Sequence, residues 1–220
     1  MKAPYPSGTA VLLKEVGDHF EILLVRRNSK LSFHGGAWVF PGGRVDQKDF
    51  TNNESDIIDA AKNAAVRETM EEAGVEIFPD NLILISRWTT PEGLPKRFAA
   101  WFFVTAVKSD VVRIDGEEIS DYRWMRPASA LEAHRSGEIV LPPPTFVTLL
   151  KLSDYGNIKT ALLAIAKQQL MTFYPKISQT KDGSCFLYEG DAGYELHDAN
   201  QPGARHRLWV VEDGYRYERS

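Results

Sequence analysis

Short apolar runs separated by polar turns dominate the first half of the chain and predict β-strands. The first two runs, residues 8–14 and 20–27, flank a polar segment at residues 16–19 that contains glycine and aspartate. Both residue types are common in tight hairpin turns, so this pattern predicts two paired strands at the start of the fold. Later runs of the same kind predict strands at residues 37–40, 82–88, 97–107 and 122–124.

One segment in this half has helical rather than alternating periodicity. Between residues 56 and 73 the apolar positions recur every three or four residues, at Ile57, Ile58, Ala61, Ala64, Ala65 and Met70. Ser55 is a suitable N-terminal cap, and Gly74 supplies a C-terminal stop. The small alanine side chains predict that this helix lies close against the sheet.

The last third of the chain mixes helical and β-type patterns. Helices are predicted at residues 128–135, 146–152 and 157–169. Short β-type runs follow at residues 185–188, 207–211 and 215–218. Residues 141–145 contain three prolines and are predicted to be a stiff connector. We therefore divide this α/β chain into residues 1–140 and a C-terminal helical and β-hairpin extension, residues 141–220, packed on the same domain. The tail is predicted to be an appended hairpin layer that serves packing or a homodimer contact.

Composition limits the kinds of partner and compartment. The 220 residues are 43% hydrophobic, which is ample for a core, and the formal net charge is -4. This charge argues against a protein that coats nucleic acid or an anionic membrane, so we expect a small-molecule partner. Cys185 is the only cysteine, which excludes an internal disulfide and a cysteine zinc cluster. The longest apolar run, residues 98–107, is far too short for a membrane span, and we predict a soluble, cytoplasmic protein.

Three glutamates crowd the C-terminal half of the predicted helix. Glu68, Glu71 and Glu72 stand at positions i, i+3 and i+4, which lie on one helix face, and Arg67 lies one turn before Glu71. Like charges at these spacings destabilise a bare helix, so a cation is expected among them, and a divalent metal ion is the natural candidate. Taken alone, the triplet is equally well explained as a solvated acidic helix face.

This region resembles a known family signature. Gly43 together with Arg67-Glu68-Thr69-Met70-Glu71-Glu72-Ala73-Gly74-Val75 is similar to the Nudix box, GX5EX7REUXEEXGU with U aliphatic. The core Arg-Glu-x-x-Glu-Glu-x-Gly is matched in full. The earlier glutamate of the box falls on Asp59, and Thr69 takes an aliphatic position. Gly43 lies about ten residues further from Arg67 than the pattern specifies, so residues 47–56 look inserted.

The resemblance implies a fold and a cofactor. The fold is an α/β/α sandwich with a mixed sheet, which agrees with the alternation of predicted strands and helices. The cofactor is Mg²⁺ or Mn²⁺, bound by Glu68, Glu71 and Glu72, because these ions prefer hard oxygen donors. The carbonyl of Gly43 is a further candidate ligand, since a glycine pair lets bare backbone approach the metal.

The resemblance also implies roles for residues around the metal. Arg67 is structural and holds the helix carboxylates by charge-assisted hydrogen bonds, and Asp59 supports this arrangement by pairing with a helix cation. The general base that takes a proton from water is either Glu68 or Glu118. Glu118 is a candidate because Glu118-Ile119 followed by Trp124 resembles a late acidic motif of the family.

A finer resemblance concerns the substrate. Before the box, residues 23–31 and 40–46 resemble the coenzyme A diphosphatases of this family. Residues 39–49, 88–103 and 141–145 look more like its acyl-coenzyme A branch. The implied function is hydrolysis of a diphosphate linkage in coenzyme A or acyl-coenzyme A by metal-activated water. Alternatives are hydrolysis of ADP-ribose or another nucleoside diphosphate conjugate, and a non-catalytic nucleotide-sensing module. Arg26, Arg44 and Arg97 are candidate phosphate-binding residues, although basic side chains beside strands are often solubilising.

Overall fold

A mixed β-sheet forms the centre of the molecule. The computed structural model describes residues 3–31, 34–50, 56–109, 111–181, 183–212 and 214–220. Within these residues the sheet has eight strands: β1 (Tyr5–Val16), β2 (His19–Arg27), β3 (Trp38–Val39), β4 (Gly42–Arg44), β5 (Ile83–Thr89), β6 (Phe98–Val107), β7 (Ile119–Met125) and β8 (Met171–Phe173). Their order is β3-β2-β1-β6-β5-β8, with β4 paired to β1 and β7 paired to β2. The strands predicted between residues 8 and 124 are confirmed, with bounds shifted by a few residues.

The first strand, β1, has different antiparallel partners for its two halves. Its C-terminal half forms the predicted hairpin with β2, in register up to Val16 opposite His19. Gly17 in the turn has a φ of 60°, a left-handed conformation that glycine adopts without steric cost. The N-terminal half pairs with β4, and β6 runs parallel to β1 along the other edge. Residues 42–44 therefore form a short strand beside β1.

Four α-helices are found within the described residues: α1 (Ile57–Ala73), α2 (Pro127–Arg135), α3 (Pro143–Ser153) and α4 (Ile158–Lys167). Two short 3₁₀-helices lie at Gln47–Asp49 and Pro79–Asn81. Asp56 caps α1, because its side chain accepts hydrogen bonds from the backbone N–H groups of Ile58 and Asp59 at 3.1 and 3.2 Å. Ser55, the predicted cap, lies outside the described residues. α1 ends at Gly74 as predicted, in a left-handed conformation with a φ of 64°. In the described part of the chain, none of the helices combines the length and the apolar character that a membrane span needs.

The helices cover both faces of the sheet. α1 packs its alanines on one face, next to Ala10 and Leu12 of β1. α2, α3 and α4 pack on the other face, next to Val11 and Leu13. Neighbouring residues of a strand point to opposite faces, so β1 contributes to both cores. The predicted α/β/α sandwich with a mixed sheet is therefore confirmed.

Close packing of α1 on the sheet depends on Gly8. A Cβ at Gly8 would lie 1.8 Å from the carbonyl oxygen of Ala61, so only glycine permits this approach. The alanine face predicted from the sequence makes the same contact possible from the helix side, with Ala61 and Ala65 fully buried. This contact brings the C-terminal half of α1 alongside β4.

One prediction about the C-terminal third needs correction. Residues 141–145 were expected to form a stiff connector, but α3 begins at Pro143 with Pro142 as its N-cap residue. Proline is compatible with the first helical turn, where its missing N–H has no intrahelical partner and its fixed φ is already helical. The connector is therefore shorter than predicted.

The C-terminal extension adds a second sheet. Its strands are β9 (Lys176–Thr180), β10 (Gly183–Leu187), β11 (His206–Val211) and β12 (Gly214–Arg219), all antiparallel to their neighbours. Tyr188 and Leu208 of this region join the core beneath α2, α3 and α4, and β8 pairs with β5 in the main sheet. The predicted hairpin between the runs at residues 207–211 and 215–218 is confirmed, because β11 and β12 pair up to Val211 opposite Gly214. Asp213 of the predicted turn lies outside the described residues. The boundary at residue 140 and the homodimer contact stay predictions.

Candidate functional site

The backbone of β4 lies directly against two glutamates of α1. The N–H of Gly42 donates a 2.9 Å hydrogen bond to Oε2 of Glu72. Gly43 faces Glu68, and a Cβ at this position would lie 2.2 Å from Oε1 of that side chain. A Cβ at residue 43 would therefore displace the Glu68 carboxylate from its observed position. The structure brings together the glycine pair and the helix carboxylates that the sequence pointed to separately.

Burial shifts the pKa of both of these glutamates. Glu72 is only 4% exposed. Burial raises the pKa of Glu72 to about 8; the hydrogen bond from Gly42 opposes this rise, and the charges of Glu68 and Glu118 add to it. Burial also raises the pKa of Glu68, and the hydrogen bond from Arg67 opposes the rise. Buried carboxylates that repel each other are stabilised by nearby positive charge, so the cluster favours a cation.

Arg67 is the cation that the protein itself supplies. Its Nε and Nη2 atoms donate to the two carboxylate oxygens of Asp49 at 3.1 and 3.0 Å. Nη1 donates to Glu68 at 2.8 Å and to Glu71 at 3.0 Å, and Nη2 also donates to the carbonyl oxygen of Arg44 at 3.0 Å. The hydrogen bonds to Asp49 raise the pKa of Arg67 above its already high ordinary value, so the side chain stays charged. All three nitrogen atoms of the guanidinium are therefore hydrogen-bonded to groups of the protein.

The buried carboxylate that binds both sides of the Arg67 guanidinium fork is Asp49, whereas Asp59 was predicted to support this arrangement. Asp49 is 4% exposed, whereas the Asp59 side chain is 65% exposed on the outer side of α1. Asp59 does pair with a helix cation, but that cation is Lys62, at 3.8 Å. Counting forward from Gly43 rather than backward from Arg67 places Asp49 at the earlier acidic position of the Nudix box. The additional residues therefore follow Asp49, and residues 51–55 among them lie outside the described residues.

The three glutamates of α1 have different environments. Glu72 is buried and Glu68 is largely buried, but the side chain of Glu71 is 53% exposed. Glu71 also lies 3.6 Å from Nζ of Lys48. The single acidic face predicted from the spacing thus divides into an inner pair, Glu68 and Glu72, and an outer residue, Glu71. Ion pairs of such exposed residues contribute about 0–1 kcal/mol to stability.

A turn after β6 carries Glu118 towards the same cluster. Oδ1 of Asp115 accepts the backbone N–H of Ile119 at 2.9 Å, which organises the turn. The backbone N–H of Asn28 donates to the carbonyl oxygen of Glu118 at 2.8 Å and ties the turn to the end of β2. Glu118 is exposed, and its charge contributes to the raised pKa of both inner glutamates. The supporting roles of Asp115 and Asn28 were not predicted from the sequence, although aspartate and asparagine are typical turn residues.

The three arginines considered for phosphate binding differ in position. Arg44 is exposed, and its guanidinium lies 4.2 Å from the ring centre of Tyr5, next to the glycine pair. Arg26 is exposed on β2. Arg97 donates a 2.9 Å hydrogen bond to the hydroxyl oxygen of Tyr174, which links the β5–β6 loop to the C-terminal extension. Arg44 therefore lies beside the acidic cluster, whereas Arg97 is engaged in a contact with the extension.

The donor set suits a hard divalent cation, because the available groups are carboxylate and backbone oxygens. The raised pKa of Glu72 beside Glu68 shows that positive charge would stabilise the ionised pair. Within the part of the chain that the structure describes, no three Asp, Glu, His or Cys side chains stand close enough together to hold a metal ion. Binding a metal would therefore require an outer carboxylate, Glu71 or Glu118, to turn towards the inner pair.

Comparison with protein families agrees with this geometry. The profile of the NUDIX domain family matches residues 4–142, which is more than half of the chain. The matched segment includes β1, the glycine pair, α1 and the turn with Glu118. The chain therefore belongs to the Nudix family.

Curated relatives and solved structures show what the chain is similar to. The chain is 23% identical to acyl-coenzyme A diphosphatase NUDT19 of Xenopus laevis, and the match covers 80% of this chain and 71% of that protein. It is 33% identical over 121 residues to acyl-coenzyme A diphosphatase NUDT19 of Homo sapiens, covering 52% of this chain but only 32% of that protein. The match to a nudix hydrolase of Caenorhabditis elegans covers 60% of that protein's length. The chain therefore spans less than two thirds of this relative and of the human one. A NUDIX hydrolase crystal structure from Alicyclobacillus acidocaldarius superposes with a TM-score of 0.67 at 24% identity, covering 77% of this chain and 100% of that one, which shows a shared fold.

Proposed function

We propose that this chain hydrolyses a diphosphate linkage in coenzyme A or an acyl-coenzyme A, with Mg²⁺ or Mn²⁺ as the cofactor. The observation that carries the proposal is the inner pair Glu68 and Glu72, held against the backbone of Gly42 and Gly43. Relatives named as acyl-coenzyme A diphosphatases support the substrate class. The buried free thiol of Cys185 suits a reducing compartment, which supports a cytoplasmic site of action.

In this proposal the metal is held by Glu68 and Glu72, with the Gly43 carbonyl and Glu71 as additional ligands. Bound divalent ions supply a water of lowered pKa and neutralise the diphosphate oxygens that would otherwise repel it. The protein's contribution is to place two carboxylates at one point, although burial and mutual repulsion oppose their ionisation. A bound cation would therefore stabilise two carboxylates whose mutual repulsion is already present in the folded protein.

Arg67 acts in this proposal as a positioning residue. Its two parallel hydrogen bonds to Asp49 fix the plane of the guanidinium. The hydrogen bond from Nη1 then fixes one oxygen of Glu68, which leaves the other oxygen available for a ligand. Because its donors are engaged within the protein, Arg67 is not proposed to contact the substrate.

We assign the general base to Glu118 rather than to Glu68. Oε1 of Glu68 already accepts a 2.8 Å hydrogen bond from Arg67, so this oxygen is less available to take a proton from water. Glu118 is exposed, so its carboxylate is accessible to water, and its backbone is held by Asn28. A general base must reach the attacking water by a hydrogen bond, and the charge of Glu118 already acts on both inner glutamates.

Arg44 is the proposed contact for substrate phosphate. It is exposed and its carbonyl oxygen is bound by Arg67, so it extends from the acidic cluster towards solvent. Its guanidinium can bind two phosphate oxygens at once. Arg26 is a second exposed candidate, whereas Arg97 is proposed to position the β5–β6 loop through Tyr174.

A substrate panel tests the proposed function. The chain is incubated with coenzyme A, acetyl-coenzyme A, ADP-ribose and diadenosine tetraphosphate, each with Mg²⁺, Mn²⁺ or a chelator, and the products are separated by chromatography. We expect the coenzyme A compounds to be cleaved fastest at their diphosphate, and no cleavage with the chelator. Faster cleavage of ADP-ribose would replace the substrate assignment. Binding of these compounds without turnover would overturn the enzyme proposal in favour of a nucleotide-sensing module.

Gly43→Ala tests the contact between β4 and Glu68. The new methyl group would occupy the space of the Glu68 carboxylate, so we expect kcat to fall by about 10–100-fold, the range typical of residues that support metal ligands. Gly156→Ala is the matched control, because a Cβ there meets nothing within 4 Å. Steady-state assays and thermal unfolding are measured for both variants. Equal activity of the two variants would show that the close approach at Gly43 has no role.

A further inference from the structure

A cavity of about 630 Å³ lies between the C-terminal helices and the end of β12. Its lining comes from α3, from the segment after α4, and from β8 and β12. The helix α3 packs on the face of the sheet opposite α1, so the cavity is separate from the acidic cluster. Its volume falls within the range of about 300–1,000 Å³ that is typical of small-molecule sites.

Two cations line this cavity. Lys151 and Arg219 both line the cavity. Burial lowers the pKa of Lys151, and the positive charge of Arg219 lowers it further. Nη1 of Arg219 donates to Sδ of Met171 at 2.8 Å, and a thioether is too weak an acceptor to neutralise a guanidinium. Asp154 also lines the cavity, at an exposed position after α3. Arg219 also hydrogen-bonds to the side chain of Tyr217. With two cations and one carboxylate, the charged side chains of the lining carry a net positive charge that an anion would stabilise.

The rest of the lining is partly aromatic and apolar. Tyr155 and Tyr217 are both half-buried and contribute ring surface. The hydroxyl oxygen of Tyr155 accepts a 3.0 Å hydrogen bond from Nε2 of Gln168, which fixes the ring across the opening between α3 and the segment after α4. Aromatic rings of this kind suit flat or apolar groups, and the neighbouring cations suit phosphate or carboxylate.

We infer that this cavity binds a small organic anion, with a phosphate or carboxylate group on an aromatic or apolar body. Lys151 and Arg219 would bind the anionic group, and the two tyrosines would pack against the body. Binding would relieve the repulsion between the two cations, which is a gain that a neutral ligand of the same shape does not provide. The site does not depend on the acidic cluster of α1 or on the proposed hydrolysis.

Calorimetric titration of the whole chain with phenyl phosphate tests this inference, with a chelator present so that no metal links the probe to α1. We expect saturable binding, and we expect Arg219→Gln and Lys151→Gln each to weaken it by about tenfold or more, as for the loss of one charged hydrogen bond. Lys159→Gln removes a positive charge from an exposed position of α4 that does not line the cavity, and it should leave the affinity unchanged. Benzyl alcohol, which has the ring without the charge, should bind far more weakly.

The same titration separates the cavity from the acidic cluster. Glu72→Gln should bind phenyl phosphate with the affinity of the unmodified chain, and loss of binding in this variant would place the probe at α1 and overturn the inference. Absence of binding to the unmodified chain up to about 10 mM would overturn it as well. Equal affinity of Arg219→Gln and the unmodified chain would do the same. Arg219 is exposed, so this variant carries the test even if the partly buried Lys151 cannot be replaced without unfolding.

Discussion

Glu72→Gln is expected to lower kcat by more than about 100-fold, beyond the loss typical of a residue that only supports a metal ligand. Glutamine has nearly the shape of glutamate, and its side-chain oxygen can still accept the hydrogen bond from Gly42. It cannot supply the negative charge that we propose binds the metal. The unfolding temperature of the metal-free protein should stay the same or rise, because an amide avoids the burial cost of a charged carboxylate. Steady-state kinetics across a metal titration and thermal unfolding measure the two effects.

Two further variants make this result specific. Glu132→Gln replaces a carboxylate on α2, on the opposite face of the sheet, and should leave kcat unchanged. Glu118→Gln should lower kcat by about 10²–10⁴-fold while the metal concentration for half-activation stays the same, as expected of a general base. If Glu72→Gln retained the original rate, the acidic face of α1 would be a solvated surface and the proposed metal site would be wrong.

Asp49→Asn is expected to destabilise the protein by about 2–4 kcal/mol. The substitution breaks a bidentate ion pair whose carboxylate is buried, and the lower part of the usual range applies because the Arg67 side chain keeps 16% exposure to water. Activity should fall as well, because Arg67 would lose the contact that fixes its plane beside Glu68. Urea unfolding and steady-state kinetics measure the two changes.

Asp59→Asn is the matched control for this prediction. The substitution is the same, but the Asp59 side chain is exposed and, within the described residues, forms an ion pair only with Lys62. We expect the free energy of unfolding to change by less than about 0.5 kcal/mol. A larger effect at Asp59 than at Asp49 would show that the position counted back from Arg67 is the structural one after all.

The pair of aspartates shows why part of the site was beyond sequence reasoning. Asp49 lies at the expected distance after Gly43, and Asp59 at the expected distance before Arg67. Spacing cannot decide between them, because an insertion shifts one end of a motif relative to the other without changing the chemistry of either residue. Burial decides, since only the carboxylate of Asp49 is enclosed together with the guanidinium.

The C-terminal extension shows a second limit. Its helices and its last hairpin were predicted from local patterns, but the pairing of β8 with β5 was not. That pairing joins residues 86–88 to residues 171–173, and no local periodicity carries information about such a distant partner. The contact between Arg97 and Tyr174 and the cavity beside Lys151 depend on the same long-range packing.

By itself, the sequence determined the first hairpin, α1 with its end at Gly74, the α/β class and which glutamates form the acidic cluster. These features follow from local backbone geometry, because strand alternation and helical i, i+3 and i+4 spacing place neighbouring residues in predictable positions. Only the tertiary structure decided that Glu68 and Glu72 form the inner pair, that Asp49 binds Arg67, and that the Glu68 carboxylate lies against Gly43. The physical reason is that burial, and the pKa shifts and ion pairs that depend on it, are set by residues far apart in the chain.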